Sequence, residues 1–350
     1  MKNFYKRGLA ILALAFLMAP IGQGKNNTPA AQPTKLEISM LQELEKDSLS
    51  LAKMKQYIQM GARLEVKNEK GSTPLILAAY NGNYPIALYL VKKGANVNAV
   101  NNNKDTPLIL AASHKHHCVK EHIDLVKLLV ANGANINYDS GMGFSALGQT
   151  SYTGHVEIAK FLINNGAKVN AGEISPLWWA AFAGNLRMME DLIQYGADIN
   201  QKGLINNKQV PLTWWAIINK NIPVLSFALN HGANPNAFFE EEPLLFTAIL
   251  QEQWRAVELL VLAGANVNAK DEGDTPLIFA VIGENQALMK YLIEHGADVN
   301  LCNDKKRTPL FYATNPTLAN YLKGKGATLT CSTFKWQCWP GANAPGLFII

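Results

Sequence analysis

Apolar residues along the chain fall into pairs of short clusters. Leu75, Ile76, Leu77, Ala78 and Ala79 form one; Ile86, Ala87, Leu90 and Val91 form the next, with Asn81-Gly82-Asn83 between them and Gly94 behind. Spacings of three and four in the second cluster predict a helix with one buried face. A glycine between polar residues predicts a break, so the unit is helix–turn–helix. The arrangement returns along the chain. A Gly-Ala pair stands at Gly61, Gly94, Gly133, Gly166, Gly196, Gly232, Gly264, Gly296 and Gly326, at intervals of 30 to 39 residues and about 33 on average.

A second marker keeps step with the first: Thr73-Pro74-Leu75, Thr106-Pro107-Leu108, Thr275-Pro276-Leu277 and Thr308-Pro309-Leu310, with weaker copies at Ser145, Ser175, Pro211 and Pro243. Each marker has a backbone task. A threonine hydroxyl before proline caps the free N–H groups of a helix start, and proline in the first turn loses no hydrogen bond. Glycine behind an apolar run ends a helix, because it takes the left-handed conformation cheaply. The Asn-rich stretch after each Gly-Ala, such as Ala95-Asn96-Val97-Asn98, suits a turn leading to the next unit.

T-P-L-x-x-A-A-x-x-G, a second helix and G-A-x-V-N together resemble the ankyrin repeat, over about residues 35–329. The resemblance implies an all-α fold: an ankyrin-repeat solenoid of about eight helix–turn–helix units with short β-turn fingers, preceded by an N-terminal cap near residues 36–61. It also implies binding of a partner protein through the concave face, by the fingers and the ends of the first helices. The chain departs from the family pattern where a histidine is usual, carrying Ile76, Ile109, Gly148, Trp178, Ile278 and Phe311, so apolar packing is expected in place of a polar network. The fifth and sixth units read as having one extra residue in the first helix, and residues 201–210 make a long finger.

Residues 1–24 carry Lys2, Lys6 and Arg7, then thirteen uncharged apolar residues at 9–21. A bilayer span needs about 20, so the segment reads as a signal peptide. Gly22 and Gly24 allow cleavage before Lys25, and no cysteine follows the run that would take a lipid. The expected location is outside the cytosol, in a periplasm first, with secretion or an N-terminal anchor as alternatives; no stable membrane insertion is expected after cleavage. Residues 25–34 read as a flexible linker, and residues 330–350, with Phe334, Trp336, Trp339 and Phe348, as a tail capping the last repeat. Without the first 24 residues the net charge falls from +5 to +2, which argues against nucleic acid as a partner. Of the four cysteines, Cys331 and Cys338 are close enough to pair, with Cys302 joined to either as the alternative.

Candidate chemistry is sparse. His114, His116, His117, Cys118 and His122 crowd an insertion in the second unit and could bind zinc or copper; solvated loop residues are the plainer alternative. No cofactor is otherwise expected. Trp178-Trp179 and Trp214-Trp215 are expected to pack in the core, since one of each pair falls at a buried helix position. The position after each Ala-Ala pair is apolar almost throughout: Tyr80, Ser113, Tyr152, Phe182, Ile217 or Ile218, Ile249 or Leu250, and Ile282. Tyr80, Tyr152, Phe182, Ile218, Leu250 and Ile282 are the candidate partner-binding row. Acidic fingers (Glu240 to Glu242; Asp271, Glu272, Asp274) and a basic one (Lys305 to Arg307) would rim it. No G-x-S-x-G, H-E-x-x-H or phosphate-binding glycine loop is present, so an enzyme is not expected. The expected function is a protein-binding scaffold in an extracytoplasmic compartment, whose partner could be an envelope enzyme or toxin held inactive or chaperoned. Metal sequestration through His114–His122 is the rival from another class.

Overall fold

The computed structural model describes residues 32–113, 119–141 and 143–331, and of residues 119–121 the backbone only. The segments expected to be a signal peptide (1–24) and a capping tail (the part from 332 on) lie outside them. The chain divides into two compact units, the first ending at Asn234 and the second beginning at Pro235.

The first unit holds six helix pairs. α1 (Lys35–Glu45) and α2 (Leu51–Gln59) form the cap. They are followed by α3 (Pro74–Tyr80) with α4 (Tyr84–Lys92), α5 (Pro107–Ala112) with α6 (Val119–Ala131), and α7 (Ala146–Thr153) with α8 (Val156–Asn164). Next come α9 (Pro176–Phe182) with α10 (Leu186–Gln194), a hairpin of β1 (Gly203–Ile205) and β2 (Lys208–Val210), and α11 (Leu212–Ile218) with α12 (Ile222–Asn230). In the second unit β3 (Phe238–Phe239) and β4 (Glu242–Pro243) precede α13 (Leu244–Leu250) and α14 (Trp254–Leu262). α15 (Pro276–Ile282) with α16 (Gln286–Glu294), and α17 (Pro309–Tyr312) with α18 (Pro316–Gly324), complete it. These are the expected eight units and cap.

First helices of four to eight residues in the eight repeats are too short to hold alone, so side-chain caps and packing hold them. Thr73, Thr106 and Thr275 accept from the N–H groups of Ile76, Ile109 and Ile278. Asn83, Asn185, Asn221 and Asn285 do the same for the second helices. Within the first unit α3 packs on α5, α5 on α7 and α7 on α9; in the second, α13 packs on α15 and α15 on α17. Ile76, Ile109, Trp178 and Ile278 are almost wholly buried, so apolar packing holds at these four of the six positions; Phe311 is exposed instead, and Gly148 has no side chain to pack. All nine Gly-Ala glycines stand at φ between +83° and +95°.

Two expectations need correction. α11 and α13 are seven residues long, like α3, α9 and α15. Pro211 and Pro243 occupy the N-cap place that Thr73 holds in α3, so the proline has moved back one position and no residue is inserted. The disulfide joins Cys302 to Cys331, not Cys331 to Cys338. Cys302 is buried on the last finger and Cys331 lies just past the final Gly-Ala turn, so the bond closes a loop around α17 and α18.

The Asn-rich stretches do more than turn the chain. The side chain of Asn98 donates to Gly133 O and accepts from the N–H of Asn135, both in the following repeat. Asn137, Asn170 and Asn200 repeat this two-way bond in the first unit, and Asn236, Asn268 and Asn300 in the second, at 2.7–3.1 Å. One side chain per repeat thus fixes the stacking register through backbone groups.

Candidate functional site

The candidate row lies at or near the ends of the first helices: Tyr80, Phe182, Ile218, Leu250 and Ile282 each end one, and Tyr152 is next to last in α7. Tyr80 (57%) and Ile282 (43%) are exposed, and the other four are half-buried. Ile217 and Ile249 are buried, so Ile218 and Leu250 face outward in the fifth and sixth repeats. Ser113, which caps the end of α5, is half-buried.

Three residues earlier, one helical turn away, runs a second row absent from the sequence expectations as a surface, its tryptophans being expected in the core. It includes Trp179, Trp215 and Phe279, the first two half-buried and the third exposed. The tryptophan pairs therefore divide. Trp178 and Trp214 enter the core, and the indole N–H of Trp178 donates to Gln201 O at 3.0 Å. Trp179 and Trp215 join the row. The visible signal was that each pair of adjacent positions on a short helix must point in two directions.

In the first unit the two rows fuse into one aromatic ridge. Phe144 meets Trp179 at 4.3 Å between centroids, and Tyr152 meets Trp179 edge-on at 6.2 Å. Trp179 meets Phe182 at 5.5 Å, and Phe182 meets Trp215 at 4.9 Å. Trp178 supports the ridge from beneath, 5.4 Å from Phe182 and 6.4 Å from Trp215. Aromatic pairs in such tilted and T-shaped arrangements are each worth about 0.5–1.5 kcal/mol beyond their buried area. These contacts brace the rings against one another. Beside it a shallow depression is lined by Tyr152, Thr153, His155 and Ala183. Burial holds the His155 imidazole below its ordinary value, and its Nδ1 lies 3.2 Å from the Thr153 hydroxyl.

The second unit carries exposed Phe238, Phe279, Ile282 and Phe311. Its fingers bring carboxylates together. Burial, then Glu242, Glu272 and Asp274, push Asp271 up to about 6. Burial also raises Glu242, with Glu272 and Glu240 adding to it. On the last finger Lys305, Lys306 and Arg307 are exposed, and the Arg307 guanidinium lies 4.5 Å over the ring of Phe311.

Of the metal candidates only His122 has a described side chain. His114, His116, His117 and Cys118 lie outside the described residues, and His122 is buried in the first turn of α6. Its ring lies where a Cβ on Gly82 would stand, so it packs against the helix–helix turn of the preceding repeat. Among the described residues no three His, Cys, Asp or Glu side chains are placed to hold a metal ion.

The family model for ankyrin repeats (3 copies) matches residues 47–137, 116–203, 177–271 and 245–332, most of the chain. The chain belongs to the ankyrin-repeat family. Ankyrin repeats indicate a scaffold for protein–protein interaction, and the family is generally non-enzymatic. No curated protein matches this ankyrin-repeat chain. Among the described residues no helix is long and apolar enough to cross a membrane.

Proposed function

We propose that this ankyrin-repeat protein is a non-enzymatic scaffold that grips a partner protein through the aromatic ridge of its first unit, in an extracytoplasmic compartment and in a periplasm first. The observation that carries the reading is the unbroken ring contact from Phe144 through Trp179 and Phe182 to Trp215. Half-buried aromatics at the centre of an interface are the side chains that most often dominate binding energy. Packed rings also lose little freedom when a partner covers them. The export half of the reading rests on the basic start, the thirteen apolar residues and the Gly-x-Gly site.

Tyr152→Ala tests the ridge. It should weaken partner binding by about 2 kcal/mol, some 30-fold, while folding stability falls only by the lost Trp179 contact, about 0.5–1.5 kcal/mol. N-terminal sequencing of the native protein tests the location, with a start near Lys25 expected. An intact Met1 on cytosolic material would contradict it.

A further inference from the structure

We propose that the exposed apolar face of the second unit docks a cationic amphipathic segment of a partner protein, in which lysines or arginines flank large apolar side chains. The proposal rests on the reading of the chain as a protein-binding scaffold, but on a surface separate from the aromatic ridge.

Phe279 and Ile282 stand one turn apart on α15 and are exposed, while Leu277, Ile278, Ala280 and Val281 on the same helix are buried. Phe238 on the β3 finger is exposed in the same unit; Phe311 on α17 is exposed too, but it lies under Arg307 beside Lys305 and Lys306, and that basic end is not part of the proposed face. Adjacent apolar side chains left uncovered, as Phe279 and Ile282 are, mark an interaction site.

The charge beside them identifies the occupant. Thr247 holds in α13 the helix place that Phe279 holds in α15, and its hydroxyl donates to Glu242 Oε1 at 2.6 Å. A carboxylate is thereby fixed at the edge of the apolar row. The next finger adds Asp271, Glu272 and Asp274, with Asp271 and Asp274 tied by backbone hydrogen bonds of 2.9 Å. Lys270 points instead to Asp304, at 2.8 Å. Burial is the main cause that raises Asp271 and Glu242, and the neighbouring carboxylates add a repulsion that an arriving cation relieves and an anion worsens. A segment with apolar side chains for Phe279 and Ile282 and cations for the two acidic fingers satisfies both features.

Two fluorescein-labelled helical peptides of about 18 residues serve as probes, one of leucine and lysine and one of leucine and glutamate. Their binding to the mature protein is followed by anisotropy. The lysine peptide should bind at least about 10-fold tighter and weaken as salt is raised. Ile282→Ser should weaken it about 10-fold or more. The double variant Glu242→Lys, Asp271→Lys should reverse the preference, and Tyr152→Ala should leave it unchanged, with melts confirming that each variant is folded. Equal binding of the two peptides, or a preference that survives the charge reversal, would overturn the proposal. So would two other occupants: self-association abolished by the charge reversal, or a chain ending at Cys331 that gains affinity because residues 332–350 had filled the face. Loss with Tyr152→Ala but not with Ile282→Ser would assign the peptide to the first unit, removing this inference and leaving the aromatic-ridge reading intact.

Discussion

A Cβ on Gly148 would stand 3.1 Å from Cδ1 of Trp179 and 2.5 Å from Gly143 O, so the indole has its place because position 148 has no side chain. Gly148 is where the family usually has histidine, and the loss of that side chain lets α7 and α9 make their extensive contact. The backbones of α9 and α11 scarcely meet; there the rings of Trp178 and Trp215 fill the space between them. One small and one large residue at equivalent helix positions thus set the spacing of three repeats. Gly148→Ala should cost about 1–3 kcal/mol, as overpacking does, and should shift tryptophan emission. Wild-type stability in a urea melt would contradict this packing.

At the other end of the first unit, buried Glu37 accepts from Arg63 Nε at 2.7 Å, Arg63 Nη2 at 2.9 Å and the backbone N–H groups of Thr34 and Arg63. The Arg63 guanidinium, with those N–H groups, holds its carboxyl down from 4.5 to about 2. A carboxyl depressed on folding stabilises the fold above its unfolded value and loses that contribution as protons bind the folded state. The melting temperature should therefore fall as pH drops from about 4.5 towards 2. Glu37→Gln should lower it at pH 7 and flatten that part of the profile. Profiles that coincide for the two proteins would contradict the clamp.

Glu252 takes a left-handed φ of +54° in the turn between α13 and α14, the place that Gly82 and Gly184 hold at +68° in earlier repeats. A side chain there is strained. Glu252→Gly should raise stability by about 0.5–1 kcal/mol, after allowing for the added freedom of the unfolded chain. In the seventh repeat the glycine falls one residue early: Gly283 has φ −79° and Glu284 takes +52°. Gly283→Ala should therefore be tolerated, in contrast to a substitution at Gly184. Denaturant midpoints of the three variants decide the point.

Much of this was legible in the sequence because it is written in local chemistry. Thr-Pro starts, Gly-Ala stops and the 3.6-residue spacing between them each act within a few residues. What acts between repeats was harder to read. The asparagine at each finger looks like a turn residue, and its bonds to the next repeat depend on a stacking distance that no local pattern states. Trp179 and Trp215 were hidden by their neighbours, since a Trp-Trp pair reads as core until helix direction separates its two halves. The place of Ile218 and Leu250 became clear only when Pro211 and Pro243 proved to be caps.

The disulfide is a further case. Nearness in sequence favoured Cys331 with Cys338, but the repeat stacking brings Cys331 back to Cys302, 29 residues away, on the finger that opens the same repeat. A closed loop of that length stabilises by roughly 3–4 kcal/mol in the chain-entropy picture. α17 has only four residues, so reduction should loosen the last repeat first. Hydrogen exchange with and without reductant should show protection lost in α17 and α18, with the first unit unchanged. Peptide mapping that finds Cys302 and Cys331 as free thiols in native protein would contradict the pairing.

The aromatic ridge is the central claim, and Phe182 is a poor place to test it, because its ring supports Trp178, Trp179 and Trp215. Removing it would cost about 3–5 kcal/mol if it behaves as a core aromatic, and binding would then be lost with the fold. A photo-crosslinking side chain at position 152, compared with one at exposed Gln194 on α10, separates the surfaces directly. Irradiation in the native compartment should join position 152 to one partner protein in stoichiometric yield and leave position 194 unjoined. Crosslinking at position 194 with none at position 152 would place the partner on the second-helix face and contradict the ridge as the binding surface.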